Sequence, residues 1–201
     1  MNLDKQLDIK DILINKTGTE KANEIWSRAE EILSSLEKKY PNPSKAFNMH
    51  LSFILPSAAI QLACKEITGD EKIGYNAISV KSWAKSEKMG NFIKKMTKIP
   101  GFKRFFLRIW DPISKKMFGP KAGFKNVFYP KKKDEYRMDI VECPYHRCFT
   151  ELGTPELIKI YCINDEYIYG HLPGIEFIRT TTLGTGGDKC DFCIRLKRES
   201  K

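Results

Sequence analysis

Residues 123–143 read GFKNVFYPKKKDEYRMDIVEC, and this stretch decides the fold class. Its two runs, GFKNVFYP and EYRMDIVEC, are short, rich in aromatic and β-branched residues, and joined by the polar turn YPKKKDE; such runs read as strands. Everything before it has helical spacing instead. TEKANEIWSRAEEILSSLEKKY places Ala22, Ile25, Trp26, Ala29, Ile32, Leu33 and Leu36 on one face, opens at Thr19 and stops before the prolines of PNPS. SKAFNMHLSFILPSAAIQLACKEITGD predicts a helix capped by Ser44 and closed near Gly69, with Pro56 expected to kink or split it. EKIGYNAISVKSWAKSEKMGNFIKKMT predicts a third helix ending before Pro100, and a fourth runs from near Lys103 to around Gly119.

After the deciding stretch the strand pattern persists. EYIYGHL, IEFIRTTTLG and CDFCIRLKRE all read as strands, and several of these runs alternate with period two. One helix is inserted: TPELIKIYCIND offers Thr154 as N-cap, Pro155 at N1 and Glu156 in the first turn. The expectation is therefore an α+β fold, N-terminal helices packed with a C-terminal, mostly antiparallel sheet that carries one inserted helix. Residues 1–119 form the helical region and 120–201 the β-rich region, the two making one compact unit.

The 201 residues suffice to bury a core without disulfide staples. The start, MNLDKQLDIKDILINKTGTEK, is acidic and polar, unlike a secretory signal, which points to a cytoplasmic protein with reduced cysteines. No uninterrupted apolar run reaches the ~18 residues of a membrane span, so a soluble protein is expected. The net charge of +10 comes from one block: residues 81–133 hold 16 Lys and Arg against 2 Asp and Glu. There Met89, Phe92, Ile93 and Met96 follow helical spacing between lysines, an amphipathic pattern suited to a solvated helix or, through residues 81–116, to weak contact with an anionic membrane surface. No zinc-finger, RRM or helix-turn-helix signature accompanies it, so nucleic acid is not an expected partner.

The chemistry-bearing residues gather in CPYHRCFTELGTPELIKIYC and beyond: Cys143, His146, Cys148, Cys162, Asp165, His171, Arg179, Cys190, Asp191 and Cys193. Zinc would want close ligand pairs, and strand geometry sends Cys190 and Cys193 to opposite faces, so no metal or cofactor is expected; Cys143, Cys162 and Cys190 are the alternative ligand set for a zinc ion. The remaining possibility is a thiol nucleophile. Cys143 ends a strand before a proline turn, a position open to a cleft.

FGPKAGF, CPYHRCFTELGTPELIKIYCINDEYIYG and FIRTTTLGTGGDKCDF, in that order, resemble the L-2-amino-thiazoline-4-carboxylic acid hydrolase family from about Phe118 to Phe192. The resemblance implies a hydrolase that opens a five-membered cyclic isothiourea bearing a carboxylate. It carries over Cys143 and Tyr145 from CPY, Glu156 from GxPE, Cys162 and Asp165 from CxxD, Arg179 from RTxT, and Cys190 and Asp191 from CDF. The expected chemistry has Asp165 or Asp191 holding the protonated amidine, with Arg179, Glu156 and Tyr145 binding the substrate and Arg179 meeting its carboxylate. Attack at the ring carbon comes from Cys143, with Cys162 or Cys190 as alternates, or from water activated by a carboxylate. A protein that binds a small molecule or metal in the same thiol-rich pocket without turnover is the alternative.

Overall fold

The computed structural model describes residues 2–130 and 132–197. Five helices come first: α1 (Leu7–Thr17), α2 (Thr19–Glu37), α3 (Lys45–Thr68), α4 (Glu71–Met96) and α5 (Phe102–Met117). The strands β1 (Lys125–Phe128) and β2 (Glu135–Glu142) follow, then α6 (Pro144–Glu151), α7 (Ile158–Tyr169), β3 (Ile175–Ile178) and β4 (Cys190–Leu196). The strands form one sheet of order β1-β2-β4-β3, each neighbouring pair antiparallel. The fold is α+β.

Local chemistry sets the helix ends. The Ser44 hydroxyl accepts the Phe47 N–H at 3.1 Å and starts α3, while Gly69, at φ 70°, closes it. Asp70 then caps α4 by accepting the Lys72 N–H at 2.9 Å. A buried apolar cluster joins α1 to α4 with α6 and the first half of α7, including Ile25, Leu51, Ile60 and Phe149. A second lies under the sheet, where Tyr169, Phe177 and Phe192 meet at ring-centroid distances of 5.0–5.7 Å. The two clusters cross the expected 119/120 boundary: Phe106 and Leu107 of α5 belong to the sheet cluster, and Phe149 of α6 to the helical one.

Several expectations are corrected. Pro56 does not split α3, which runs through it as one helix. The Tyr161 hydroxyl donates to the Phe53 carbonyl at 3.3 Å in the turn before this proline, tying α7 to α3. By length and apolar composition alone α3 would suit a membrane span, but most of it is buried as the central helix of the bundle. EYIYGHL is not a strand: its first four residues complete α7, because Tyr169 turns into the sheet core at helical spacing. Two α-helices, not one, are inserted between β2 and β3. The first, α6, has Pro144 at N1 with Cys143 as its N-cap residue. Thr154 makes no side-chain cap; a 3-10 turn at Pro155–Leu157 leads into α7 instead. IEFIRTTTLG pairs only as Ile175–Ile178, and Arg198 and Glu199 of the last expected strand lie outside the described residues.

Helix α7 is the seam between the layers. It packs so closely on α4 that a Cβ at Gly90 would sit 2.3 Å from the Tyr167 carbonyl oxygen. Its opposite side faces the sheet.

Candidate active site

Helical spacing puts Cys162, Asp165 and Tyr169 on the sheet-facing side of α7. Arg179, just after β3, reaches back to that side. Its Nη1 donates to the Cys162 carbonyl at 2.7 Å and to Asp165 Oδ2 at 3.0 Å, and its Nη2 donates to Glu166 at 3.1 Å. The guanidinium side chain is only 9% exposed, while the Asp165 side chain keeps 35% of its surface open. Burial pushes the Asp165 carboxyl up to about 6, with Arg179 pulling against it. A half-buried carboxyl that titrates near neutrality, held by an arginine, suits proton transfer.

Two thiols, Cys162 and Cys190, feel the charges of this pair, and a third, Cys143, feels those two thiols. Strand alternation turns Phe192 and Ile194 of β4 into the sheet core, and Cys190 shares their face. The Leu183 N–H donates to its sulfur at 3.3 Å, and burial raises its pKa with that bond pulling back. Burial likewise pushes Cys162 up to about 11, the neighbouring Cys190 adding to the rise and Arg179 opposing it. Cys162 also lies against Gly184, where an added Cβ would come within 2.8 Å of its sulfur. Cys143, at the start of α6, is pushed up to about 12 by burial; the N–H groups of His146 and Tyr145 draw it down, and Cys190 and Cys162 act on it electrostatically. Cys162 and Cys190 are thus coupled to Asp165 and Arg179, and Cys143 to the other two thiols. All six cysteines are free, with Cys64 and Cys148 fully buried as packing residues. Forming a Cys143 thiolate at neutral pH costs on the order of 7 kcal/mol, so the resting site holds thiols.

Two expected site residues lie elsewhere. Asp191 sits on the other face of β4 from Cys190, where its Oδ1 accepts the N–H groups of Thr180 and Thr181, both at 2.8 Å, and its Oδ2 the Thr180 hydroxyl at 2.7 Å. Burial raises its pKa, but these bonds prevail and hold it below the ordinary carboxylate value. Asp191 thus pins the segment that follows Arg179. Glu156 is taken by Gln61, whose Nε2 donates to it at 2.6 Å. Cys193 lies on the opposite face of β4 from Cys190. Among the described residues no three His, Cys, Asp or Glu side chains are grouped to hold a metal ion, so the alternative zinc set of Cys143, Cys162 and Cys190 is not formed.

Tyr145 links the thiols to a cavity of about 450 Å³ on the other side of α7, lined among others by Tyr145, Tyr161, Asn164, Ser57, Lys81 and Lys85. Its hydroxyl lies 3.1 Å from His50 Nδ1, and His50 Nε2 lies 2.8 Å from the Met117 carbonyl. A carbonyl only accepts, so Nε2 carries the proton and Tyr145 donates to Nδ1. Burial lowers the His50 pKa and keeps the ring neutral, with the Met117 bond opposing the shift. Burial also raises Tyr145 well above the ordinary phenol value, and both Cys143 and Asp165 act on it electrostatically. Sequence reasoning missed His50, Tyr161, Lys81, Lys85 and the second carboxylate, Glu166. Glu166 was missed because EYIYGHL read as a strand, which separated it from the helix that carries Asp165.

A thiol-lined α7–sheet seam with a carboxyl–arginine pair defines a candidate hydrolytic site. The chain matches the L-2-amino-thiazoline-4-carboxylic acid hydrolase family over residues 47–194 and belongs to that family. No curated protein matches it.

Proposed function

We propose that this protein hydrolyses a cyclic isothiourea, with L-2-amino-thiazoline-4-carboxylic acid as the reference substrate. Family membership supports the substrate class, and Asp165, at about 6 among three thiols, is the observation that carries the chemistry. Ionised Asp165 holds the protonated amidine, which makes the ring carbon between sulfur and nitrogen more electrophilic. That cation also draws down the pKa of the nearest thiol, and Cys143 attacks the ring carbon. The ring C–N bond opens as its nitrogen takes up a proton, and water then releases the carbamoylated cysteine and restores the thiol. Arg179 positions Asp165: with both terminal nitrogens already on carboxylates, it is a poor partner for a third.

The test is incubation with the thiazoline acid and a panel of cyclic isothioureas, followed by mass spectrometry. The expected result is a product heavier by one water, formed by the wild type and slowed at least ~100-fold in Cys143→Ala and Cys143→Ser. Saturable binding of the thiazoline acid with no product from any of these compounds would leave the binding-only reading.

A further inference from the structure

The connection between α4 and α5 has no role in the chemistry above, and it combines exposed apolar side chains with a run of positive charge. Phe92, Ile99 and Phe105 are 60%, 50% and 55% exposed. Phe92 stands four residues before the end of α4, Ile99 in the connection, and Phe105 fourth in α5, so Phe92 and Phe105 each lie about one helical turn from the connection that holds Ile99. From Lys88 to Arg108 the chain carries Lys88, Lys94, Lys95, Lys98, Lys103, Arg104 and Arg108 and no Asp or Glu. Among the described residues, Arg104 alone of these has a carboxylate partner in reach, Asp134 at 3.7 Å, and both side chains are mostly exposed.

The exposed rings are not a folding defect, because the inward faces of the same helices are occupied. Gly90 lies against the α7 backbone, and Phe106 and Leu107 are buried under the sheet. Past the connection, Lys103 and Arg104 border an open groove of about 1130 Å³ where Lys132, Lys133, Arg195 and Lys197 stand beside Asp134, Glu135 and Glu176, so the unbalanced charge is confined to the connection itself.

We propose that the α4–α5 tip docks on an anionic lipid bilayer, with Phe92, Ile99 and Phe105 entering the boundary of the acyl chains and the surrounding lysines and arginines meeting acidic headgroups. Exposed apolar side chains interspersed with unpaired cations along the chain match a bilayer surface on both counts. A second copy of this chain fits less well, since the tip offers no carboxylates to offset the facing cations. A nucleic-acid backbone would satisfy the lysines but leave the aliphatic Ile99 in water.

Co-sedimentation of the full chain with phosphatidylcholine vesicles, with and without a third phosphatidylserine, tests this. The acidic vesicles should bind at least ~10-fold more tightly, and the difference should shrink as salt is raised. Two triple variants separate the contributions, F92S/I99S/F105S and K94E/K95E/K98E. Each should lose binding at least ~10-fold while keeping the wild-type melting temperature and ring-opening rate, because these side chains are exposed and remote from the thiols. No binding to acidic vesicles at low salt overturns the proposal. So does equal binding by the wild type and the serine variant, or a wild-type dimer that the serine variant abolishes.

Discussion

The helical bundle and the α7–sheet seam solve burial in opposite ways. In the bundle, Ile25, Leu51, Ile54 and Ile60 are fully enclosed among other apolar side chains, so stability there rests on packing. At the seam, Arg179, Asp165, Asp191 and the threonines at 180 and 181 are held by directed hydrogen bonds, and three thiols are kept protonated by burial. The first region is built to be stable. The second spends apolar burial on groups that can exchange protons, which is what a reaction requires.

That contrast breaks most visibly in the bundle. Ile25→Ala should lower unfolding stability by about 2–5 kcal/mol, read from denaturant melts, while turnover per folded molecule stays at the wild-type value. Asp191→Ala, at the seam, should cost about 1–3 kcal/mol, because the N–H groups of Thr180 and Thr181 lose their acceptor; it should also slow ring opening by loosening the segment that carries Arg179. Ser44→Ala removes the α3 cap and should cost about 1 kcal/mol with no change in turnover.

The two aspartates sharpen the comparison through pH. Asp191 is depressed in the folded state, so its contribution is present above the ordinary carboxylate value of 3.8 and is lost as pH falls through its folded value. Asp165 is raised to about 6, so the folded state binds its proton more tightly than the unfolded one. Its contribution grows as pH drops from about 6 toward 3.8 and is lost as pH rises through about 6. Melting curves between pH 7 and pH 5 should therefore show wild type gaining stability relative to Asp165→Asn, and no relative gain would place Asp165 in an ordinary solvated setting.

Much of the bundle was legible because apolar residues recur at helical spacing in α2 and late in α4, with Ser44 and Gly69 bounding α3 and Pro100 following α4. α6 was hidden: CPYHRCFTE is short, and Pro144 reads equally well as a turn or as a helix start. EYIYGHL looked like a strand since aromatic and β-branched residues favour strands, yet Tyr169 was needed on the helical face above Phe177 and Phe192. Strand parity did foretell that Cys190 and Cys193 point apart. The same parity removes Asp191 from the thiols, a consequence open to sequence reasoning but not drawn. The Arg179 pairing with Asp165 and Glu166 joins separate elements, and no local pattern encodes which distant carboxylates an arginine will meet.

The central claim is that Asp165, poised near neutrality by burial and Arg179, drives ring opening. The direct measurement is the rate of water addition to the thiazoline acid by wild type and Asp165→Asn across pH 5 to 8. The wild-type rate should fall on the acid side of about 6, and the folded variant should be at least ~100-fold slower at neutral pH with that limb gone. A variant that turns over at the wild-type rate, with the same acid limb, would contradict it.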